Sequence, residues 1–255
     1  MFITVPLFLL CASFGALVGS LVTTMLNRSA RGESFSVKNF HCRSCGKSLG
    51  MRSLIPVVSF LLQRGRCLDC GEKIGLEYFL LESLNALVYG SLYLALGFGG
   101  RFLYMSLLFS LLTAITIADL RTQEIPIHFQ IAFCIFALLR VLFSSMDPLY
   151  GIVCAIAYFA LVEFARIVAK NFLGREVVGG GDLVLIALSG LMLNMEYLSA
   201  FFLATGLLGT LFGLARRKIR GNPRGGDESF PLTPVIALVL YSLLLHHYRL
   251  PHRGR

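Results

Sequence analysis

Eight apolar runs, most of them long enough to cross a hydrocarbon core, succeed one another along this chain. A membrane-spanning helix needs roughly 17–25 predominantly apolar residues. The runs lie near Phe2–Leu26, Tyr78–Phe98, Phe102–Ala118, Pro126–Ser145, Leu149–Ala169, Leu183–Leu193, Tyr197–Ala215 and Pro231–His247. Asn194 and Glu196 alone divide the sixth from the seventh; taken as one piece, that stretch leaves seven helices. Of the 255 residues 56% are hydrophobic and 15% charged, whereas soluble domains carry about a quarter charged residues. A core of this size cannot hide so much apolar surface from water, so the solvent is lipid. The same numbers exclude disorder, collagen and a small secreted disulfide scaffold. The fold expected is all-α: a polytopic transmembrane bundle of about eight helices with one large polar loop. No internal repeat and no low-complexity segment is visible.

The net charge of +9 is first a matter of topology, because Lys and Arg collect on the cytoplasmic side. Nothing basic precedes Arg28, so the first run lacks the charged start of a cleavable signal peptide and is expected to be retained. With the N-terminus outside, the inner loops 27–77, 119–125, 166–182 and 216–230 hold 9, 1, 3 and 5 Lys/Arg, 18 in all. The outside keeps Arg101, Arg140, Arg249, Arg253 and Arg255. The large loop and the helix ends after Ala118 and before Leu183 then face the cytoplasm.

Seven cysteines fall into two groups. Cys11, Cys134 and Cys154 stand alone in apolar runs, where cysteine packs as a small hydrophobe. The other four lie in the cytoplasmic loop as Cys42-Arg-Ser-Cys45 and Cys67-Leu-Asp-Cys70, with 21 residues between the pairs. Two residues between thiolates let both sulfurs face one ion, and two such knuckles complete a tetrahedral S4 site for structural zinc. Gly46 and Gly71 follow the second cysteine of each pair, where a tight turn needs a permissive backbone. Disulfides are disfavoured in a reducing cytoplasm. A thioredoxin-like pair would need one motif within a βαβ unit. His41, beside Cys42, is expected to be exposed. A closed four-thiolate site leaves no open position for catalysis, so the chemistry lies elsewhere.

Carboxylates in or against a membrane are candidates for function. Asp119 ends the third run, and Asp182 follows Gly179-Gly-Gly181 at the start of the sixth. Glu82 and Glu163 lie towards the same side. Each has an ordinary alternative: Asp182 as a helix N-cap, Asp119 as a polar residue where a helix meets water, the glutamates as partners across helices. As a pair, the aspartates have a chemical meaning. Two close carboxyls cannot both ionise, so one keeps a proton and the other acts as base. A water so activated attacks a peptide carbonyl, and the protonated partner hydrogen-bonds the oxyanion. The three glycines would let a substrate backbone come close. That is an aspartic protease within the membrane.

The ordered set of motifs resembles the type IV prepilin peptidases, or leader peptidases, over nearly the whole chain. It runs through Gly19-Ser20, both Cys-x-x-Cys pairs, Ile55-Pro-Val-Val-Ser-Phe60, Arg64-Gly-Arg-Cys67 and Tyr78-Phe-Leu-Leu-Glu82. Asp119-Leu-Arg-Thr leads to Pro126, Gly179-Gly-Gly-Asp182 follows, and Phe230-Pro231 with Pro234 closes the series. The resemblance implies that Asp119 and Asp182 are the catalytic pair and that Cys42, Cys45, Cys67 and Cys70 hold zinc. It implies substrates that are precursors of type IV pilins or of type II secretion pseudopilins, cut after a glycine at the cytoplasmic face of the bacterial inner membrane. Members with the cysteine loop also methylate the new N-terminal amine from S-adenosylmethionine, and no separate glycine-rich motif for that donor is visible here. The chain departs from the family at Val184, where a basic residue is common, at Arg43, where proline is usual, and at Ile127 after Pro126. None of these removes a carboxylate or a thiol.

The expected organisation is a first transmembrane helix (1–26), a four-cysteine zinc loop (27–77) and a transmembrane peptidase domain (78–255). A nucleic-acid binder is disfavoured, because Glu33, Asp69, Glu72 and Glu77 interleave the basic residues and no aromatic stacking set accompanies them. A proton-coupled transporter is the alternative use of intramembrane carboxylates, but its sites lie at the midplane. Metal-dependent and serine intramembrane proteases lack His-Glu-x-x-His and Gly-x-Ser-x-Gly. His246, His247 and His252 fall at the outer end and carry no assigned chemistry.

Overall fold

The computed structural model describes residues 4–29, 41–42, 44–48, 50–143, 147–173, 179–220 and 231–249. Glu33, Arg43, Phe230 and His252, named above, lie outside them. The elements are α1 (Thr4–Ser29), a 3-10 turn (Met51–Leu54), α2 (Val58–Leu62), α3 (Leu76–Leu96), α4 (Gly100–Thr122) and α5 (Ile127–Phe143). They continue with α6 (Pro148–Leu173), α7 (Gly180–Met192), a second 3-10 turn (Met195–Tyr197), α8 (Leu198–Arg220) and α9 (Thr233–Arg249). Each of the eight apolar runs is thus a helix, and the described residues contain no strand. Five segments are long and apolar enough to cross a membrane: Thr4–Ser29, Leu76–Leu96, Gly100–Thr122, Pro148–Asn171 and Met195–Ala215. Helices α5 and α7 are shorter apolar helices of 17 and 13 residues. Asn194 adopts an extended conformation (φ −76°, ψ 163°), so the long apolar stretch breaks there and α7 and α8 are separate helices. Large apolar side chains face outward along the helices, Phe143, Leu142 and Leu203 among them, which is stable only against lipid.

The chain divides into two compact units, Met1–Ser110 and Leu111–Arg255. In the first, α1 packs along α3. Lipid supplies no hydrophobic drive for helices to associate, so small residues must let backbones approach for van der Waals contact. Gly15 and Gly19 do this on α1: a Cβ would lie 2.6 Å from the Asn85 carbonyl at the one and 2.7 Å from the Leu81 carbonyl at the other. A buried polar chain ties α3 to α4. The Ser110 hydroxyl donates to Asn85 Oδ1 (2.6 Å), the Tyr89 hydroxyl lies 2.8 Å from Ser110 Oγ, and Asn85 Nδ2 donates to the Leu81 carbonyl. The cysteine loop docks on α3 at two points. Phe60 of α2 stacks on Phe79 with ring centroids 5.1 Å apart, and the Val57 amide donates to Glu82 Oε2 at 2.7 Å.

In the second unit α7 packs against both α5 and α6. Gly190 sits directly on α6, where an added Cβ would be 2.7 Å from Ala155 Cα and 2.8 Å from the Cys154 carbonyl. Cys154 is fully buried at that crossing, in the packing role expected of it. Arg140, counted above on the outer side, has a buried side chain in the last turn of α5 that lies over the Tyr248 ring of α9 (5.2 Å). The ring face compensates the guanidinium charge there.

Overpacking a tight crossing costs about 1–3 kcal/mol or more. Gly190→Val is therefore expected to lower the thermal unfolding midpoint in detergent. Gly206→Ala on α8, where nothing lies within 4 Å of the added Cβ, is expected to leave it unchanged. Equal midpoints for the two variants would contradict the packing described.

Candidate functional site

Asp119 occupies the last turn of α4, and Asp182 the first turn of α7. Both are buried, 6% and 7% exposed, and both belong to the second unit. They lie near enough for the charge of Asp119 to act on Asp182. Local chemistry explains how two positions 63 apart in sequence meet. Helix α4 is stopped by Gln123, which adopts φ +55° and returns its amide to the Asp119 carbonyl (2.8 Å). The Thr122 hydroxyl closes the same turn by donating to the Ala118 carbonyl (3.0 Å). The chain then passes through Ile125, whose side chain rests on Gly181: a Cβ there would come within 3.1 Å of Ile125 Cδ1. The segment after one aspartate is thereby packed against the residue before the other.

The glycine run has divided roles. Gly181 is required for that close approach, and Gly180 has open space around its missing Cβ, as an approaching peptide would need. Gly179 is the N-cap of α7. Asp182 itself sits at the third helical position and reaches back to the Gly179 amide, the reciprocal half of a capping box. The cap role and the chemical role thus fall on one carboxylate.

The Thr233 hydroxyl, fully buried, donates to Asp182 Oδ1 at 2.7 Å. Residue-type reasoning missed this partner. Its signal was present in Pro231 and Pro234, which frame it. Proline at a helix start gives up an amide that has no helical partner anyway, and Pro234 follows Thr233 as α9 begins. Of the two glutamates, Glu163 pairs with Arg166 one turn along its own helix (3.6 Å). Glu82 is buried in the first unit, holding the Val57 amide.

The four loop cysteines come together, their Sγ atoms all within 4.8 Å of one another. Cys42 Sγ and Cys70 Sγ are 3.8 Å apart. Four sulfurs about 2.3 Å from a common tetrahedral centre would be about 3.8 Å apart, so the cluster has the dimensions to hold a metal ion. The two knuckles are built alike. In the first, the Cys42 amide donates to the Lys47 carbonyl and the Gly46 amide to the Cys42 carbonyl; in the second, Cys67 bonds Glu72 and Gly71 bonds Cys67 in the same way. Gly46 and Gly71 both adopt φ +72°, the left-handed turn expected of them. Lys47 of one knuckle pairs with Asp69 of the other. His41 is exposed and is not one of the clustered ligands. The amides of Cys45 and Ser44 lower the Cys42 thiol to about 6. Cys70, despite a hydrogen bond from the Glu72 amide, is pushed up to about 12 by lost hydration and by the sulfurs of Cys67, Cys45 and Cys42. Once deprotonated, four sulfurs so placed form a ligand set for a metal ion.

Residues 13–96 match the family described as Bacterial Peptidase A24 N-terminal domain, and residues 106–214 match the Type IV leader peptidase family. A Bacillus subtilis (strain 168) protein named Prepilin leader peptidase/N-methyltransferase is 31% identical over 225 residues, covering 88% of each chain. Proteins of the same name from Neisseria gonorrhoeae and Vibrio cholerae are 28% and 26% identical. Their matches cover 71% and 66% of this chain, and 63% and 66% of those proteins. No solved structure matches the chain. The two family matches fall on the cysteine cluster and on the aspartate pair, and with the Bacillus relative they make this chain a member of the type IV leader peptidase family.

Proposed function

We propose that this chain is a prepilin leader peptidase, a two-aspartate endopeptidase of the membrane, and that it also methylates the amine it releases. The observation that carries the reading is the meeting of two buried carboxylates, Asp119 and Asp182, at the ends of two apolar helices. Such a pair shares one proton, because two negative charges in a dry site repel. The ionised carboxylate takes a proton from water as its oxygen attacks the carbonyl carbon of the scissile bond. The protonated one hydrogen-bonds the oxyanion of the tetrahedral intermediate. The C–N bond then breaks, the amine nitrogen gains a proton, and the products are a carboxyl-terminal glycine leader and a free N-terminus. The Thr233 hydroxyl holds Asp182 in one orientation through this cycle. Gly180 leaves room for the extended backbone of the substrate.

The substrates are precursors of type IV pilins or pseudopilins, matching the names of the relatives. The basic loops put the N-terminus outside and the aspartates and cysteine loop on the cytoplasmic side of the bacterial inner membrane. Along the chain, residues 1–26 form the first membrane helix, 27–77 the metal loop and 78–255 the peptidase part. The metal is zinc, bound by Cys42, Cys45, Cys67 and Cys70, with a structural task, since four thiolates leave no coordination site for water. The methyl group comes from S-adenosylmethionine, a donor suggested by the methyltransferase name of the relatives.

Purified protein in detergent should cut a prepilin after the leader glycine. Asp119→Asn and Asp182→Asn should each abolish the cut, and undiminished cleavage by either variant would remove that aspartate from the mechanism. Thr233→Val should slow turnover about tenfold, the expected effect of losing one hydrogen bond to a carboxylate. Thr233→Ser should restore it, and a Val variant as fast as wild type would leave Thr233 without a positioning role. Cys42→Ser or Cys67→Ser should lower bound zinc and protein yield together, measured by elemental analysis of the purified chain. Full zinc content in either variant would contradict the four-thiolate assignment.

A further inference from the structure

The aspartate pair accounts for cleavage, but the methyl donor needs a binding site of its own. The first unit has a cavity of about 260 Å³ between the loop-facing ends of α1 and α3 and the cysteine loop. That is close to the lower end of the range for small-molecule sites, roughly 300–1,000 Å³, and too small for a length of pilin helix. Its wall combines three chemistries. Glu82 contributes a carboxylate that is only 6% exposed. Arg28, also buried, contributes a cation, and the rings of Phe60 and Tyr78 contribute aromatic faces. Ser20, Asn27 and neighbouring hydroxyls supply neutral hydrogen-bonding groups.

The carboxylate is held in place. Glu82 Oε2 accepts the Val57 amide at 2.7 Å. Val57 itself adopts φ +62°, which a β-branched residue takes up only where its surroundings impose it. Gly19 brings α1 onto α3 at the same level, since a Cβ there would lie 3.0 Å from Glu82 Cα. The Phe60–Phe79 stack fixes the loop side of the cavity, and Asn27 fixes Tyr78 by donating to its hydroxyl (3.0 Å).

We propose that this cavity binds the sulfonium compound S-adenosylmethionine, with the Glu82 carboxylate facing its positively charged sulfur. The donor carries a sulfonium, an amino-acid ammonium and carboxylate, and a flat aromatic base; the wall offers carboxylates in Glu82 and Glu72, a cation in Arg28 and rings in Phe60 and Tyr78. An anion as buried as Glu82 gains more beside a sulfonium than it would in water, and aromatic faces attract the same charge. Arg28 suits the amino-acid carboxylate, and Phe60 or Tyr78 the adenine. Cys42 and Cys67 also border the cavity, so the metal loop forms one of its walls.

This inference rests on the methyltransferase half of the proposed function, and its test separates the two. S-adenosylmethionine and S-adenosylhomocysteine differ in the charged methyl of the sulfonium. Calorimetry on the full chain in detergent, with its metal bound, compares both ligands on wild type and Glu82→Gln. Gln keeps an acceptor for the Val57 amide but not the charge. Donor affinity is expected to fall about tenfold while S-adenosylhomocysteine affinity and zinc content stay near wild type. An equal loss for both ligands, or no loss for either, would overturn the role of Glu82. Absence of donor binding by wild type, in a preparation that still cuts prepilin, would overturn the donor site alone; absence of cutting would instead overturn the peptidase reading. If Glu82→Gln does not fold, photolabelling of wild type with radiolabelled donor decides. Label at Phe60 or Tyr78 supports the site. Label confined to residues 111–255, or a cavity labelled by a photoreactive prepilin peptide and not by the donor, overturns it.

Discussion

Inside hydrocarbon every polar group must find its partner within the protein, and this chain is organised around that requirement. Its backbone meets it by being helical in all eight apolar runs. Some neutral side chains meet it in a chain, as Asn85, Ser110 and Tyr89 do between α3 and α4. Its carboxylates are harder to satisfy, and three of them are handled by a specific device. Glu163 takes an arginine from its own helix, Glu82 takes an amide from the cysteine loop, and Asp182 takes a hydroxyl from α9. Such partners require helices at close and fixed separation, and lipid does not push helices together. The glycines on α1 and α7 supply the contact instead, by letting backbone meet backbone at Gly15, Gly19 and Gly190.

Much of this was legible in the sequence, because hydrophobic length and cysteine spacing are one-dimensional signals. The eight runs predicted the helices to within a few residues, and Asn194 with Glu196 sufficed to separate α7 from α8. Gly46 and Gly71 announced left-handed turns, since a knuckle reverses the chain within four residues. What was hidden depends on pairing between distant segments. Thr233 is an ordinary hydroxyl until α9 is seen to begin beside α7. The three glycines before Asp182 look alike, yet one packs on Ile125, one is open and one caps the helix. The charge count gave no sign that Arg140 is received by a ring, here that of Tyr248.

The cysteine loop is a different kind of structure from the helices it joins. Its one short helix, α2, has no buried residue, and the loop has too little apolar mass to fold alone. Two backbone turns built alike bring the sulfurs together. The Cys42 thiol is lowered to about 6 by backbone amides, while Cys70, despite the Glu72 amide, is pushed up to about 12 by lost hydration and hydrogen bonds with its neighbouring sulfurs. A divalent ion held by the four sulfurs, as proposed above, would add its binding energy to the folding of the loop. The loop's remaining attachments, Phe60 on Phe79 and Val57 on Glu82, pass that rigidity to α3.

The two proposed chemistries make opposite demands on a carboxylate. Hydrolysis needs carboxyls that trade a proton, and two of them close together do so because each raises the cost of charging the other. Holding a sulfonium needs a carboxylate that stays ionised and does not move, next to aromatic faces. One site cannot be tuned to both. Asp119 and Asp182 lie within the second compact unit, and Glu82, with its amide anchor and its ring-lined cavity, lies within the first. Dividing the acids between two units lets each be adjusted without disturbing the other. The cysteine loop then has a reason to accompany a peptidase: it walls a cavity in the first unit that contains neither aspartate.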